Sequence, residues 1–138
     1  MEENNSQFVE CVPNFSEGHN IETINAIAEA ICSVDGVHIL HIDRGEAANR
    51  TVITFTGPAD AVVESAFRMV KRASELIDMR QHHGEHPRIG ATDVLPLIPL
   101  KNITLEECAQ RARALAERIY KELGIPTYCY EAAALRPE

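Results

Sequence analysis

Apolar residues along this chain recur at two periods, and the switches between them mark its elements. Phe8 to Val12 is a short apolar run ended by Pro13 and predicts a first strand. The polar atoms and glycine of the following Asn14-Phe15-Ser16-Glu17-Gly18 predict a turn at that strand's end. Asn20 is placed to cap a helix whose apolar positions Ile21, Ile24, Ile27, Ala28 and Ile31 recur at helical spacing, and Asp35-Gly36 stops it. Val37 to Asp43 is β-branched and apolar and predicts a second strand, whose simple alternation sends His38 and His41 to opposite faces.

A third strand is predicted from Arg50 to Thr56, with Thr51, Ile53 and Phe55 on one face and Val52, Thr54 and Thr56 on the other. The short connection from Arg44 to Asn49 implies that the second and third strands pair antiparallel. Gly57-Pro58 opens a long helix, with Pro58 in its first turn and a core stripe of Val62, Val63, Ala66, Val70, Ala73 and Ile77. Val94 to Leu100 is extended, but Pro96 and Pro99 confine it to an edge or an irregular strand. Thr104 to Glu107 is a capping box starting a helix with Leu105, Cys108, Ala112, Leu115 and Ile119 inward, and Gly124 closes it. Thr127 to Tyr130 predicts a last strand. This order predicts an α+β fold: a two-layer sandwich with a ferredoxin-like βαββαβ-type sheet and the helices packed on one face.

Composition narrows the functional classes. A chain of 138 residues fits one domain with a real core, here expected over residues 8–138 behind a disordered polar tail at 1–7. The net charge of −8 argues against nucleic acid, which needs a basic face. No apolar run is long enough to span a bilayer and no signal-peptide pattern opens the chain, so a cytoplasmic protein without a membrane partner is expected. Cys11, Cys32, Cys108 and Cys129 lack metal or redox spacing and are expected to be reduced and packed as small hydrophobes.

The chemistry concentrates in HHGEHPRIGATD, from His82 to Asp93. Gly84, Pro87 and Gly90 break any helix there, so the segment is expected to be a shaped loop, with a merely solvated His-rich loop as the bland alternative. His82 to His86 matches the inverted zinc-protease pattern HxxEH, but Gly84 within and Pro87 after it spoil the helix that pattern requires, and no third ligand is marked; no metal site is assigned. The favoured chemistry is acid–base work without a metal. An imidazole of this loop can accept and return a proton near neutrality, and a carboxylate such as Asp43, at a strand end, can fix its orientation. Arg50 and Arg88 are candidates to bind a substrate carboxylate through their forked donors. Glu85 either orients a ligand or is simply solvated, and His82, His83, His38 and His41 are read as rim or structural residues.

Three segments carry a resemblance. VECVPNFSEG (Val9 to Gly18), DRGEAANRTVITFTGP (Asp43 to Pro58) and GEHPRIGATDVLPLIP (Gly84 to Pro99) are similar, in this order, to the glutamate formiminotransferase family. The resemblance runs from about Phe8 to Ala133 and is to the N-terminal subdomain alone, so a second subdomain and the later folate-binding segment are expected to lie outside this chain. It implies His86, within GEHPR, as the catalytic histidine and Asp43 as its associate. The implied reaction moves a formimino group from N-formimino-L-glutamate to tetrahydrofolate as co-substrate, in histidine degradation. Implied partners are these small molecules and a second formiminotransferase subdomain or a homodimer. The alternative reading is a non-catalytic folate-binding or interaction module that keeps the fold.

Overall fold

The structure, a computed structural model, describes residues 6–15, 20–45, 50–76, 92–94 and 97–124. In chain order these form β1 (Phe8–Cys11), β2 (Asn14–Phe15), α1 (Ile21–Cys32), β3 (His38–Gly45), β4 (Arg50–Pro58), α2 (Ala59–Leu76), β5 (Thr92–Val94), β6 (Leu97–Lys101) and α3 (Leu105–Leu123). The predicted strand at Thr127–Tyr130 and the stripe position Ile77 lie outside the described residues.

The sheet is antiparallel throughout. β4 is its centre, pairing with β3 on one side and with both β1 and β2 on the other. β1 and β2 act as one interrupted strand: Pro13, which has no N–H to give, still accepts Ile53 N–H at 3.2 Å and bridges the interruption. β6 lies against β1, and β5 against β2. Counting each interrupted pair once, the elements run β-α-β-β-α-β and the sheet reads fourth, first, third, second strand, the expected split βαβ arrangement with α3 added.

Alternation along β4 separates the two layers. Thr51, Ile53 and Phe55 are buried towards the helices, while Val52, Thr54 and Thr56 on the other face stay half-exposed. Val9, Cys11 and Leu97 extend the buried row across β1 and β6, and Ile27, Ile31, Val62, Ala66, Val70, Leu115 and Ile119 cover it. Burial pushes the Cys11 thiol far above its ordinary range, as befits a small hydrophobe; Cys108 is also buried, but Cys32 is exposed. Ser65, on α2, satisfies its buried hydroxyl by donating to the Ile31 carbonyl at 2.7 Å and ties α1 to α2.

The expected caps are present. Asn20 accepts from Thr23 N–H, Thr104 and Glu107 form the reciprocal box, and Gly124 ends α3 in the left-handed conformation at φ 73°. Ser6 and Gln7 are also tied down: the Ser6 carbonyl accepts from Asn102 and the Gln7 carbonyl from Ala59 N–H.

Several local expectations are corrected. Asn14 and Phe15 are not a turn but a strand, because Val52 and Thr51 of β4 and the residues of β5 offer them partners on both sides. Pro58 pairs with Phe8 as the last residue of β4, and α2 begins only at Ala59. Leu105 and Ile21, the first residues of their helices, remain 43% and 52% exposed. The faces of β3 are the largest correction. His38 pairs with Thr56, Ile39 with Phe55, and then His41 with Thr54, so Leu40 is an extra residue in the strand. The extra residue resets the alternation, and His38 and His41 stand on one face, with Thr54 and Thr56.

Candidate functional site

Among the described residues, the sheet face opposite α1, α2 and α3 carries Asp43 and Arg50, and hydrogen-bond register sets their spacing. Asp43 lies directly opposite Val52, and Val52 directly opposite Asn14. These three therefore form one row across β3, β4 and β2 with side chains on the same face, and two interstrand spacings put Asp43 and Asn14 about 10 Å apart. Arg50 pairs with Gly45 and, two residues before Val52, shares that face. Asp43 and Arg50 are thus diagonal neighbours across the β3–β4 ladder, a separation that long side chains span. Both are exposed.

The row lies near one end of the sheet. β2 ends there at Phe15, β3 at Gly45, β4 begins at Arg50, and β5 begins at Thr92, which is paired with Phe15. β5, which follows the segment containing GEHPR, therefore joins the sheet three strands from β3, beside the Asn14 end of the row that holds Asp43. Of the predicted site residues the structure describes Asp43 and Arg50 and brings them to one corner; His86, Arg88 and Glu85 lie outside the described residues, as do His82 and His83.

Asn14 joins this group on structural grounds. Its Oδ1 is buried and has no hydrogen-bond partner among the described residues, an arrangement that leaves an acceptor unused. Sequence pattern gives no reason to single it out, since Asn before an aromatic residue and a serine reads as turn chemistry. Its placement across Val52 from Asp43 is a result of β2 joining the sheet.

The arrangement offers an anionic carboxylate, a guanidinium and a neutral acceptor on a half-exposed floor formed by Val52. Such a set suits a small polar ligand bearing both a carboxylate and N–H donors. Among the described residues no group of three or more His, Cys, Asp or Glu is arranged to hold a metal ion. No helix among them is long and apolar enough to cross a membrane.

Comparison with known proteins bears on the same segments. The chain matches the family described as formiminotransferase domain, N-terminal subdomain, over residues 8–138. It is 51% identical over 132 residues to a formimidoyltransferase-cyclodeaminase of Rattus norvegicus, covering 96% of this chain and 24% of that protein. A glutamate formimidoyltransferase of Streptococcus pyogenes serotype M1 is 49% identical over 133 residues, covering 96% of this chain and 44% of the relative. A formiminotransferase cyclodeaminase-like protein of Arabidopsis thaliana is 30% identical over 128 residues, 89% of this chain and 43% of its own length. The chain thus spans less than half the length of each of these relatives. Matched from the first strand to the last residue, the chain belongs to the formiminotransferase family, as an N-terminal subdomain.

Proposed function

We propose that this chain supplies the proton-transfer half of a glutamate formimidoyltransferase site, moving a formimino group between N-formimino-L-glutamate and tetrahydrofolate in histidine degradation. The observation that carries the reading is 49% identity, over nearly the whole chain, to a protein named glutamate formimidoyltransferase. The placement of Asp43, Arg50 and the start of β5 at the same end of the sheet supports it.

In this reading the folate nitrogen attacks the formimino carbon and loses a proton, and the departing glutamate nitrogen gains one. His86 takes the first proton and delivers the second. Asp43 orients that imidazole and stabilises its cationic form. Arg88 and Arg50 hold a substrate carboxylate, because a guanidinium presents paired donors to paired oxygens. Glu85 orients the ligand beside them. A second formiminotransferase subdomain closes the other side of the folate, and the reaction takes place in the cytoplasm on residues 8–138 as one folded unit.

The test is formimino transfer by wild type and His86→Ala, assayed on the chain alone and with the complementary half of a glutamate formimidoyltransferase added. His86→Ala is expected to lower the rate by about 10²–10⁴-fold while the melting temperature stays put. A variant that keeps full rate would remove His86 from its role. Folate binding without transfer in any arm would favour a non-catalytic binding module.

A further inference from the structure

We infer that Glu10 grips the pterin end of the folate co-substrate, its carboxylate accepting from the ring N–H and the amino group of the 2-amino-4-oxo edge. This assignment rests on the transferase reading above and says where one of its two substrates lies. Glu10 faces away from the helices, because Val9 and Cys11 on either side of it are fully buried beneath them. It is directly opposite Thr56 of β4 and Ile98 of β6, so it stands within the sheet and not at an edge. Half-buried there, it makes no hydrogen bond or ion pair among the described residues. The nearest hydroxyl across the ladder, that of Thr56, donates to the Val9 carbonyl at 2.8 Å, and Ile98 has no donor to give. A half-buried carboxylate without a donor costs stability, and glutamate is a poor strand former. The fold itself makes no use of it.

A second unsatisfied acceptor lies on the same line. Glu10 pairs with Thr56 and Asn14 with Val52, so β1 and β2 keep one alternation across their interruption. Glu10, Val12 and Asn14 therefore share a face, with the half-exposed Val12 between two acceptors about 13 Å apart. Asn14 Oδ1 has no partner among the described residues. A carboxylate, an apolar step and an amide suit a flat ligand with N–H donors at its ends.

The two oxygens of a carboxylate lie side by side and match two N–H donors held side by side. Two groups in the proposed reaction present such a pair: the formimino group of N-formimino-L-glutamate and the pterin edge of tetrahydrofolate. Distance separates them. Asp43 lies two strands across and four residues along from Glu10, about 16 Å away by strand rise and strand spacing. The formimino group holds the reacting carbon, and at Glu10 it would stand that far from the carboxylate that orients the proton carrier. The amino edge is the unreactive end of the pterin. Bound at Glu10, it lets the ring system extend over Val12 and bring the reacting nitrogen, on the far ring, towards the row of Asp43. Glu10 therefore fits the folate and not the formimino donor.

The experiment is steady-state formimino transfer by wild type and Glu10→Gln, each with the complementary half of a glutamate formimidoyltransferase added. The acceptors are tetrahydrofolate and its 2-desamino-2-methyl analogue. Glutamine keeps the size of the side chain and turns one acceptor into a donor that faces the ligand's own donors. Glu10→Gln is expected to raise the KM for tetrahydrofolate at least about tenfold, the loss of a charge-assisted hydrogen bond. The KM for N-formimino-L-glutamate should stay unchanged, and the variant should melt no earlier than wild type. The analogue should lose affinity in wild type and little more in Glu10→Gln, because the two changes remove one contact. An unchanged KM for tetrahydrofolate overturns the assignment, and so does a raised KM for N-formimino-L-glutamate, which would put the amidine at Glu10. Independent losses from the variant and the analogue, or a lower melting temperature, overturn it too. Failure of the underlying reading looks different. Wild type that neither transfers nor binds tetrahydrofolate removes both, whereas full rate in His86→Ala removes the proton carrier and leaves the effect of Glu10→Gln on KM in place.

Discussion

At Gly57 one backbone segment lies close against another. A Cβ built there would lie 2.7 Å from the Gly36 carbonyl oxygen and 3.2 Å from Val37 Cα, and both are main-chain atoms that cannot rotate away. Gly36 itself sits at φ +90°, where L side chains are strained, and a Cβ built there would lie 3.3 Å from Pro58 Cδ. The turn leaving α1 thus rests directly on the end of β4. Gly57→Ala is expected to destabilise the chain by about 1–3 kcal/mol, the range for forcing an extra carbon into a packed site, read as a lower urea midpoint at unchanged slope. An unchanged midpoint would mean that the two segments can separate freely. Nothing in the local sequence marks this contact, since Gly before Pro reads equally well as a turn signal. Asn14 teaches the same lesson, because its residue type is visible in the sequence and its neighbour across β4 is not.

At the scale of elements, α2 and α3 are joined by a charged contact laid over an aromatic ring. Arg118, on α3, donates to Glu64 of α2 at 2.9 Å and stands 3.7 Å above the Phe67 ring. Arg118, and after it Arg68, hold the Glu64 carboxyl below its ordinary value of 4.5. A carboxyl lowered in the folded state stabilises the fold fully above its unfolded value, and that contribution disappears as pH falls through the folded value. Both side chains are more than a third exposed, so solvent screening keeps the ion pair within about 0–1 kcal/mol. Arg118→Met should therefore lower stability slightly at neutral pH, and its gap from wild type should narrow well below pH 4.5. Denaturation midpoints at neutral and acidic pH check this; a gap of constant size would assign the loss to packing on Phe67. Helix ends were legible in the sequence because caps are local: Asn20, the Thr104–Glu107 box and Gly124 act within four residues. The extra residue in β3 was not legible, because it exists only relative to β4.

Across the described residues, Asp43 and Arg50 lie on the sheet face opposite α1, α2 and α3, at the end of the sheet where β3 stops and β5 starts. If Asp43 stabilises a cationic His86, Asp43→Asn must lower that imidazole's pKa. The expected outcome is a reduced transfer rate with the acidic limb of its pH profile displaced to lower pH. A reduced rate with an unmoved limb would make Asp43 a substrate ligand instead.

The sequence by itself determined the three helices and the longer strands in their order, the caps at Asn20, Thr104–Glu107 and Gly124, the two-layer arrangement and the family, because each rests on local periodicity, short-range side-chain chemistry or long matching segments. Tertiary structure alone decided which residues became neighbours: that β1 and β2 form one interrupted strand, that Asn14 and Asp43 flank Val52, and that His38 shares a face with His41 and Asp43. Those relations are set by hydrogen-bond register between distant segments, and a shift of one residue reverses the face of every side chain beyond it.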